Sequence, residues 1–441
     1  MIILTTKPFA ELGVSERLLR ALNQVGYQQA TPIQTQAIPP LIAGQDLLGL
    51  AQTGTGKTAA FLVPLVQRLL AADTPTNARR PRALILAPTR ELAAQIGDEL
   101  NRLCADGALS HNVIFGGVGQ NPQIKALQKG LDVVVGTPGR LLDLLGQKHL
   151  DLCAVEILVL DEADRLLDMG FVRDVKRLVA ATPRQRQSLL FSATMPKEVV
   201  GLARELLKDP VRIDVTPKER TVKKIDQRVV EVVNADKQRA LEILLREEDV
   251  TRAIVFTRTK HGANKVAKKL MAAGIGAEAI HGNKSQNARQ RALASFKNGD
   301  VWVLVATDIA ARGIDIDGVS HVFNQELPHE PESYVHRIGR TGRAGASGVA
   351  WSLVDPSEQS RLRAVSRLIG FTPPTVQVDL PPRTPEEEAA LRESEAQRAR
   401  AQAQGSNRSG GRNRSGNRSS GGSNDSPPAK RRRRRRPKKA A

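Results

Sequence analysis

Three short stretches carry residue types that can handle phosphate. In the first, AQTGTGKT (Ala51 to Thr58), two glycines, a lysine and three hydroxyls lie between the apolar DLLGL and the helical pattern AAFLVPLVQRLL. Strand, Gly-rich loop and helix in that order let backbone amides surround phosphates, with Lys57 reaching the β and γ groups and the Thr58 hydroxyl meeting magnesium. Gln52, Thr53, Gly54, Thr55 and Gly56 complete the cradle; the usual pattern opens on Gly where Ala51 stands. The second stretch is LVLDEADRLLD (158 to 168), an apolar run that stops on Asp161 and Glu162, with Asp164 and Asp168 behind. Acids after a strand can simply open a helix, where carboxylates favour the positive end of its dipole. An upstream phosphate cradle gives them a second use: Asp161 holds magnesium through water and Glu162 polarises the attacking water. The third, HRIGRTGR (His336 to Arg343), sets Arg337, Arg340 and Arg343 on a Gly-broken turn. Arginines delivered from another domain neutralise charge on a transferred phosphoryl and are worth roughly 10³ to 10⁵ in rate; a basic surface turn is the plainer alternative.

The elements around these stretches repeat. PRALILAPTRELAAQIGDEL and TRAIVFTRTKHGANKVAKKL both read as buried strand, Thr/Arg turn and amphipathic helix, and Ala83 and Ala253 lie 170 positions apart, as do Thr137 and Thr307. Buried Val/Ile/Leu runs alternating with helical patterns predict an α/β fold of parallel sheets covered on both faces, here two related domains in tandem. The predicted partition is 1–208, a linker at 209–225 where Pro210 and Pro217 interrupt the pattern, and 226–372, followed by a tail at 373–441. No glycine occurs between Gly201 and Gly262, so the second copy cannot build the same cradle, and one nucleotide per chain is expected.

Composition narrows the partners. With 441 residues, 40% apolar and 25% charged, the chain fills real cores, and a net charge of +20 favours a polyanion. No apolar run approaches the roughly 18 residues of a membrane span, and Met1 to Ala10 lacks a signal pattern, so the expectation is a soluble, cytoplasmic protein. Cys104 and Cys153 lack CxxC spacing and read as small core residues. From Gln402 to Ala441 there are 13 Lys or Arg against one acid, Asp425, giving +12 of the total. That stretch is rich in Gly, Ser and Asn and cannot bury enough apolar surface to offset its ordering entropy, so a disordered basic tail is predicted.

Ten motifs then fall in one order. GYQQATPIQ, AQTGTGKT, PTRELA, Gly116-Gly117, TPGR, DEAD, SAT, VFTRT, ATDIAARGIDI and HRIGRTGR make the chain resemble a DEAD-box ATP-dependent RNA helicase over about residues 9 to 372. The Gly/Ser/Asn-rich basic tail is similar to bacterial members of the RhlE type. The resemblance implies two RecA-like domains, with ATP and Mg2+ as cofactors. Gln34 would read the adenine edge, Tyr27 stack on the base and Phe9 buttress it; Ala30 stands where the family usually has Pro. Lys57, Thr58 and the loop amides would hold phosphates and metal. Asp161 would order the metal's water shell and Glu162 the attacking water. Asp315 would contact the ribose, while Arg340 and Arg343 complete the site. Ser192, Thr194 and His336 resemble the family's links between the nucleotide and RNA sites, with ordinary structural hydrogen bonding as the alternative for each.

RNA would lie on Arg90, Gly117, Thr137, Gly139 and Arg140 of the first domain and on Arg258, Gln286, Arg289 and Thr307 of the second. Backbone amides, hydroxyls and arginines suit phosphate and sugar rather than base edges, so binding is expected to be sequence-independent. An aromatic content of 3% argues against a stacking platform for single strands. The implied mechanism is closure of the two domains on ATP and RNA, which bends one strand and opens a short duplex. Its partners would be structured or duplex RNA, in ribosomal or RNA-decay assemblies. The competing readings are an ATP-locked RNA clamp that rarely turns over and a DNA-directed helicase.

Overall fold

The computed structural model describes residues 7–383, except 53, 73–75, 216–224, 248, 312–317 and 343–346, together with a few positions up to 389. The basic stretch 402–441, expected to be disordered, lies outside the described residues, as do the site candidates Thr53, Asp315 and Arg343.

Short runs of apolar and β-branched residues form two wholly parallel sheets. The first has seven strands in the order His111–Ile114, Val133–Gly136, Ala83–Leu86, Ile157–Leu160, Gln187–Ser192, Leu47–Leu50 and Val211–Asp214. Six strands make the second: Ile225–Glu231, Gly348–Val354, His321–Asn324, Ala253–Thr257, Val303–Thr307 and Ala277–Ile280. Parallel strands need crossovers, and the helices between them cover both faces. The period of two splits each strand between two cores: Ala83 and Ile85 belong to one layer, Leu84 and Leu86 to the other. In the second sheet Ile254 and Phe256 part from Ala253 and Val255 in the same way. Each buried Val, Leu, Ile or Phe of these strands contributes about 1.5 to 3 kcal/mol by leaving water, and each Ala less.

The repeat reaches down to single caps. Thr89 accepts the Leu92 amide at 3.2 Å to start helix Arg90–Leu103, and Thr259, 170 positions later, accepts the Gly262 amide at 3.0 Å to start Lys260–Ala272.

Both edges of the expected linker take part in sheets. Val211–Asp214 pairs with Leu47–Leu50 as the edge strand of the first sheet, and Ile225 opens the second. The prolines at 210 and 217 bracket that edge strand rather than a bare connector, because a strand can start directly after Pro. Beyond residue 372, the Pro374 carbonyl accepts from the Val229 amide at 2.9 Å and Val376 donates back to Val229 at 2.8 Å, so the chain continues along the second sheet's edge.

Adjacent strands deliver the phosphate-handling stretches to one end of the first sheet. Leu47–Leu50 leads into the Gly-rich loop, Gln187–Ser192 ends on Ser192, and Ile157–Leu160 ends before Asp161. The carboxyl ends of parallel strands are where open α/β sheets bind ligands.

Candidate functional site

The cradle is built from the loop and from the segment before it. Ala51 is fully buried, its amide donates to the Ser192 carbonyl at 3.1 Å, and its φ is negative, so the departure from Gly costs no backbone strain. Gly56 does need its identity: φ is +92°, and a Cβ there would stand 2.5 Å from Gln34 Nε2. Gln34 accepts the Thr31 amide at 2.8 Å, closing a capping box, and donates to the Gly56 carbonyl at 3.1 Å. Both ends of its amide are thus engaged within the protein, tying helix Pro32–Ile42 to the loop. Thr55 Oγ1 donates to the Gln52 carbonyl at 2.8 Å. Phe9 and Tyr27 stand together beside this segment, ring centroids 6.5 Å apart and 24° from parallel. Ala30 is fully buried and paired with Lys7.

Lys57 is only 6% exposed, and its Nζ has no hydrogen-bond partner among the described residues. Burial is the main cause that raises the Asp161 carboxyl to about 6, and the neighbouring Lys57 ammonium limits that rise. A buried ammonium with an unused donor set beside a buried acid is a site made for an anion bearing a cation. The donors also fit magnesium, which keeps water and phosphate oxygens as most of its ligands. No cluster of three or more His, Cys, Asp or Glu forms a closed cage among the described residues.

Glu162 sits in the left-handed region at φ 50°, ψ 53°, buried, and starts helix Ala163–Asp168. A non-glycine residue held there is strained, and such strain concentrates at functional sites. Its Oε2 meets Arg165 Nη1 at 2.9 Å, with both side chains 4% exposed. Asp164 turns the other way: its Oδ2 accepts from the Thr194 amide and hydroxyl, and its amide donates to Ser192 Oγ. In the sequence Asp164 and Arg165 carry no sign of these partners beyond the i, i+3 spacing of Glu162 and Arg165.

The candidates for RNA contact gather as well. Arg90, Thr137, Gly139 and Arg140 of the first lobe and Arg289 of the second line one hollow of about 550 Å³. The apolar Met169 and Phe171, which carry no phosphate-binding signal in the sequence, line it too. Gly117, at φ +79°, lets the Arg90 guanidinium pass where a Cβ would lie 2.2 Å from Nη1. Arg140 reaches Gln123 at 3.0 Å and the Val118 carbonyl at 3.2 Å. Gln286 accepts from Arg90 at 3.2 Å and donates to Glu91 at 3.3 Å, and Arg289 pairs with Glu91 at 3.0 Å. Burial and the nearby Arg289 cation lower the Arg90 guanidinium's hold on its proton. Arg258 pairs with Glu326 at 3.0 Å, and Thr307 ends its strand, buried; neither lines the hollow.

In the second lobe the arginines divide. Arg337 is fully buried, held by both oxygens of Asp308 at 2.6 and 2.7 Å, by Asn324 and by the Glu326 carbonyl. It is locked into the fold rather than presented on a turn, because a bidentate partner and two further acceptors hold its guanidinium inside. Arg340 and His336 line a small hollow with Asp308, Ser333 and Arg337.

Comparison with known proteins identifies the family. Residues 31–202 match the DEAD/DEAH box helicase family, and residues 236–345 match the helicase conserved C-terminal domain. The chain is 43% identical over 374 residues to the ATP-dependent RNA helicase CshA of Limosilactobacillus reuteri, covering 84% of this chain and 74% of that protein. To the DEAD-box ATP-dependent RNA helicase CshA of Bacillus subtilis it is 44% identical over 364 residues, covering 82% and 72%. S. cerevisiae Dbp5 bound to RNA and ADP BeF3 superposes with a TM-score of 0.75 at 32% identity, over 85% of this chain and 96% of that one. Mss116 bound to ssRNA and UDP-BeF gives 0.76 at 28% identity, over 87% and 81%. The RhlE-type expectation drawn from the tail finds no support in these relatives, the curated ones being named CshA.

Proposed function

The chain belongs to the DEAD-box family of ATP-dependent RNA helicases, and from that premise we propose how its own residues carry the reaction. It hydrolyses ATP in an RNA-dependent manner and uses the cycle to separate short duplexes or remodel RNA–protein complexes. The observation that carries the nucleotide site is Lys57 Nζ, buried and without a hydrogen-bond partner among the described residues, beside a buried Asp161. The β and γ phosphates give that ammonium its acceptors, and the amides of residues 52–58 surround them. Thr58 and Asp161 would hold magnesium, which when bound supplies positive charge to the phosphate oxygens. Glu162 orients the attacking water. Tyr27 and Phe9 form the base side of the pocket; Gln34 joins that pocket to the loop. Arg340 and Arg343 complete the site from the second lobe, and Asp315 takes the ribose.

RNA runs along the hollow lined by Arg90, Thr137, Gly139, Arg140 and Arg289, with Gly117, Gln286, Arg258 and Thr307 along its course. Donors of this kind meet phosphates and 2′-hydroxyls, so sequence is not read. Ser192, Thr194 and His336 connect the two sites. We take the working location to be the cytoplasm, with ribosomal or RNA-decay assemblies as its settings. For the domains, the first extends through Asp214, since Val211–Asp214 is hydrogen-bonded into its sheet, and the second opens at Ile225 and includes Val376, which donates to Val229. For the subfamily, tail composition is all that speaks for the RhlE type.

The test is phosphate release by the full chain with RNA, with DNA of the same sequence and with neither. RNA stimulation that Lys57→Ala abolishes supports the reading. Equal activation by DNA would favour a DNA-directed enzyme, and tight RNA binding with no release would favour a clamp.

A further inference from the structure

We propose that Arg165 is a positioning residue for hydrolysis: it fixes the plane of the Glu162 carboxylate and so the direction from which that group meets the attacking water. The inference rests on the reading of Glu162 as the water-orienting acid. Three observations carry it. The guanidinium of Arg165 meets Oε2 of Glu162 at 2.9 Å, and each side chain is 4% exposed, so water neither screens nor replaces the contact. Glu162 lies at φ 50°, ψ 53° on the last position before helix Ala163–Asp168, and Arg165 is the third residue of that helix. The Arg165 amide donates to the Glu162 carbonyl at 2.9 Å, so one turn of helix fixes both ends of the pair.

Geometry makes this more than an internal ion pair. A glutamate has three side-chain torsions, and its terminal torsion is broad, so the carboxylate plane is undefined unless something holds it. Anchoring Oε2 to a planar guanidinium that is itself buried, on a backbone set by the helix, defines that plane and with it the direction of Oε1. Asp164, between the two, is turned toward Thr194 and Ser192 instead. Successive side chains of one turn thus serve different tasks: Asp161 beside Lys57, Glu162 on Arg165, and Asp164 on the Ser192 to Thr194 turn.

A residue that only supports the fold lowers stability and binding together, whereas one that orients the acid acts on turnover. Removing one partner of a buried pair destabilises the protein, so the test uses Arg165→Gln and Arg165→Lys, both of which keep a polar side chain. RNA-stimulated ATPase of the full chain is measured against ATP and RNA concentration. The expected result for Arg165→Gln is a loss of about 10- to 100-fold in kcat, the scale of a misplaced catalytic group, with KM for ATP and half-saturating RNA held within about twofold. Lysine keeps the charge without the planar fork, so Arg165→Lys should recover part of the loss. Unchanged kcat in Arg165→Gln overturns the inference. So does a loss of ATP and RNA affinity in step with kcat, with Lys no better than Gln. If Arg165→Gln does not fold, Arg165→Lys decides alone: reduced kcat at unchanged KM supports the role, and wild-type kcat rejects it. A wild-type chain without RNA-stimulated hydrolysis would instead defeat the proposed function, a different and distinguishable failure.

Discussion

Asp164 and Thr194 are joined twice, Oδ2 of the acid accepting from the threonine amide at 2.9 Å and from its hydroxyl at 2.8 Å. Ser192 closes the ring: its Oγ accepts from the Asp164 amide at 3.3 Å and donates to the Thr194 carbonyl at 2.7 Å. The acid stretch and the SAT turn are therefore one polar network, whose bonds strengthen one another.

Thr194→Val keeps the shape and removes one of the two bonds. Strand separation should fall by about tenfold or more, the cost of roughly one buried polar contact, while RNA-stimulated phosphate release falls far less. Displacement of a labelled short duplex, run beside phosphate release, reads both. An equal loss in the two assays would mean the ring supports hydrolysis itself.

Glu162→Gln preserves size and leaves Lys57 and Asp161 in place, removing only the charge that Glu162 sets beside Asp161. ATP and RNA binding should persist while turnover drops by about 10² to 10⁴, the range expected for losing a positioned acid–base group. Nucleotide binding by fluorescence and phosphate release in the same samples check this; normal release would reject the role.

Glu91 holds Arg289 at 3.0 Å inside the hollow where RNA is expected to lie. Because a phosphate must compete with that carboxylate, Glu91→Gln should tighten RNA binding severalfold at low salt. Releasing one cation to the backbone also steepens the salt dependence by about 0.7 on single-stranded RNA. Affinity measured across a salt series decides, and weaker binding would show that Glu91 orients Arg289 rather than competing for it.

For the tail, ending the chain at Ala401 removes 13 cations, with a ceiling of about 9 on the salt slope. A flexible chain pairs only part of its charge at once, so the slope should fall by about 2 to 5, with hydrolysis retained at saturating RNA. Identical lines for both proteins would assign the tail to another task.

The sequence reveals this protein where chemistry is local. A cradle such as Ala51 to Thr58 needs glycines, a lysine and a hydroxyl in consecutive order, and the 170-residue repeat survives even in the helix caps of Thr89 and Thr259. What stays hidden depends on side chains meeting across the fold. HRIGRTGR shows three similar arginines, yet Arg337 is buried on Asp308, 29 positions upstream. Gln34 reads as a base contact, but its amide also bridges Thr31 and Gly56. Val211–Asp214 reads as a linker because a four-residue edge strand between prolines has too little periodicity to register.

That edge strand also dictates when the first lobe is finished. Leu47 pairs with Val211 on one side and Leu189 on the other, so the strand feeding the phosphate loop gains its outer neighbour only after the rest of the lobe exists. Such pairing is costly in loop closure and slow to form. During synthesis the nucleotide loop therefore hangs from an unsealed edge until residue 214 is available. A first lobe cut at 208 keeps its own phosphate-handling residues, Lys57, Asp161 and Glu162 among them, yet exposes the backbone of Leu47–Leu50, a ready template for another chain to add to.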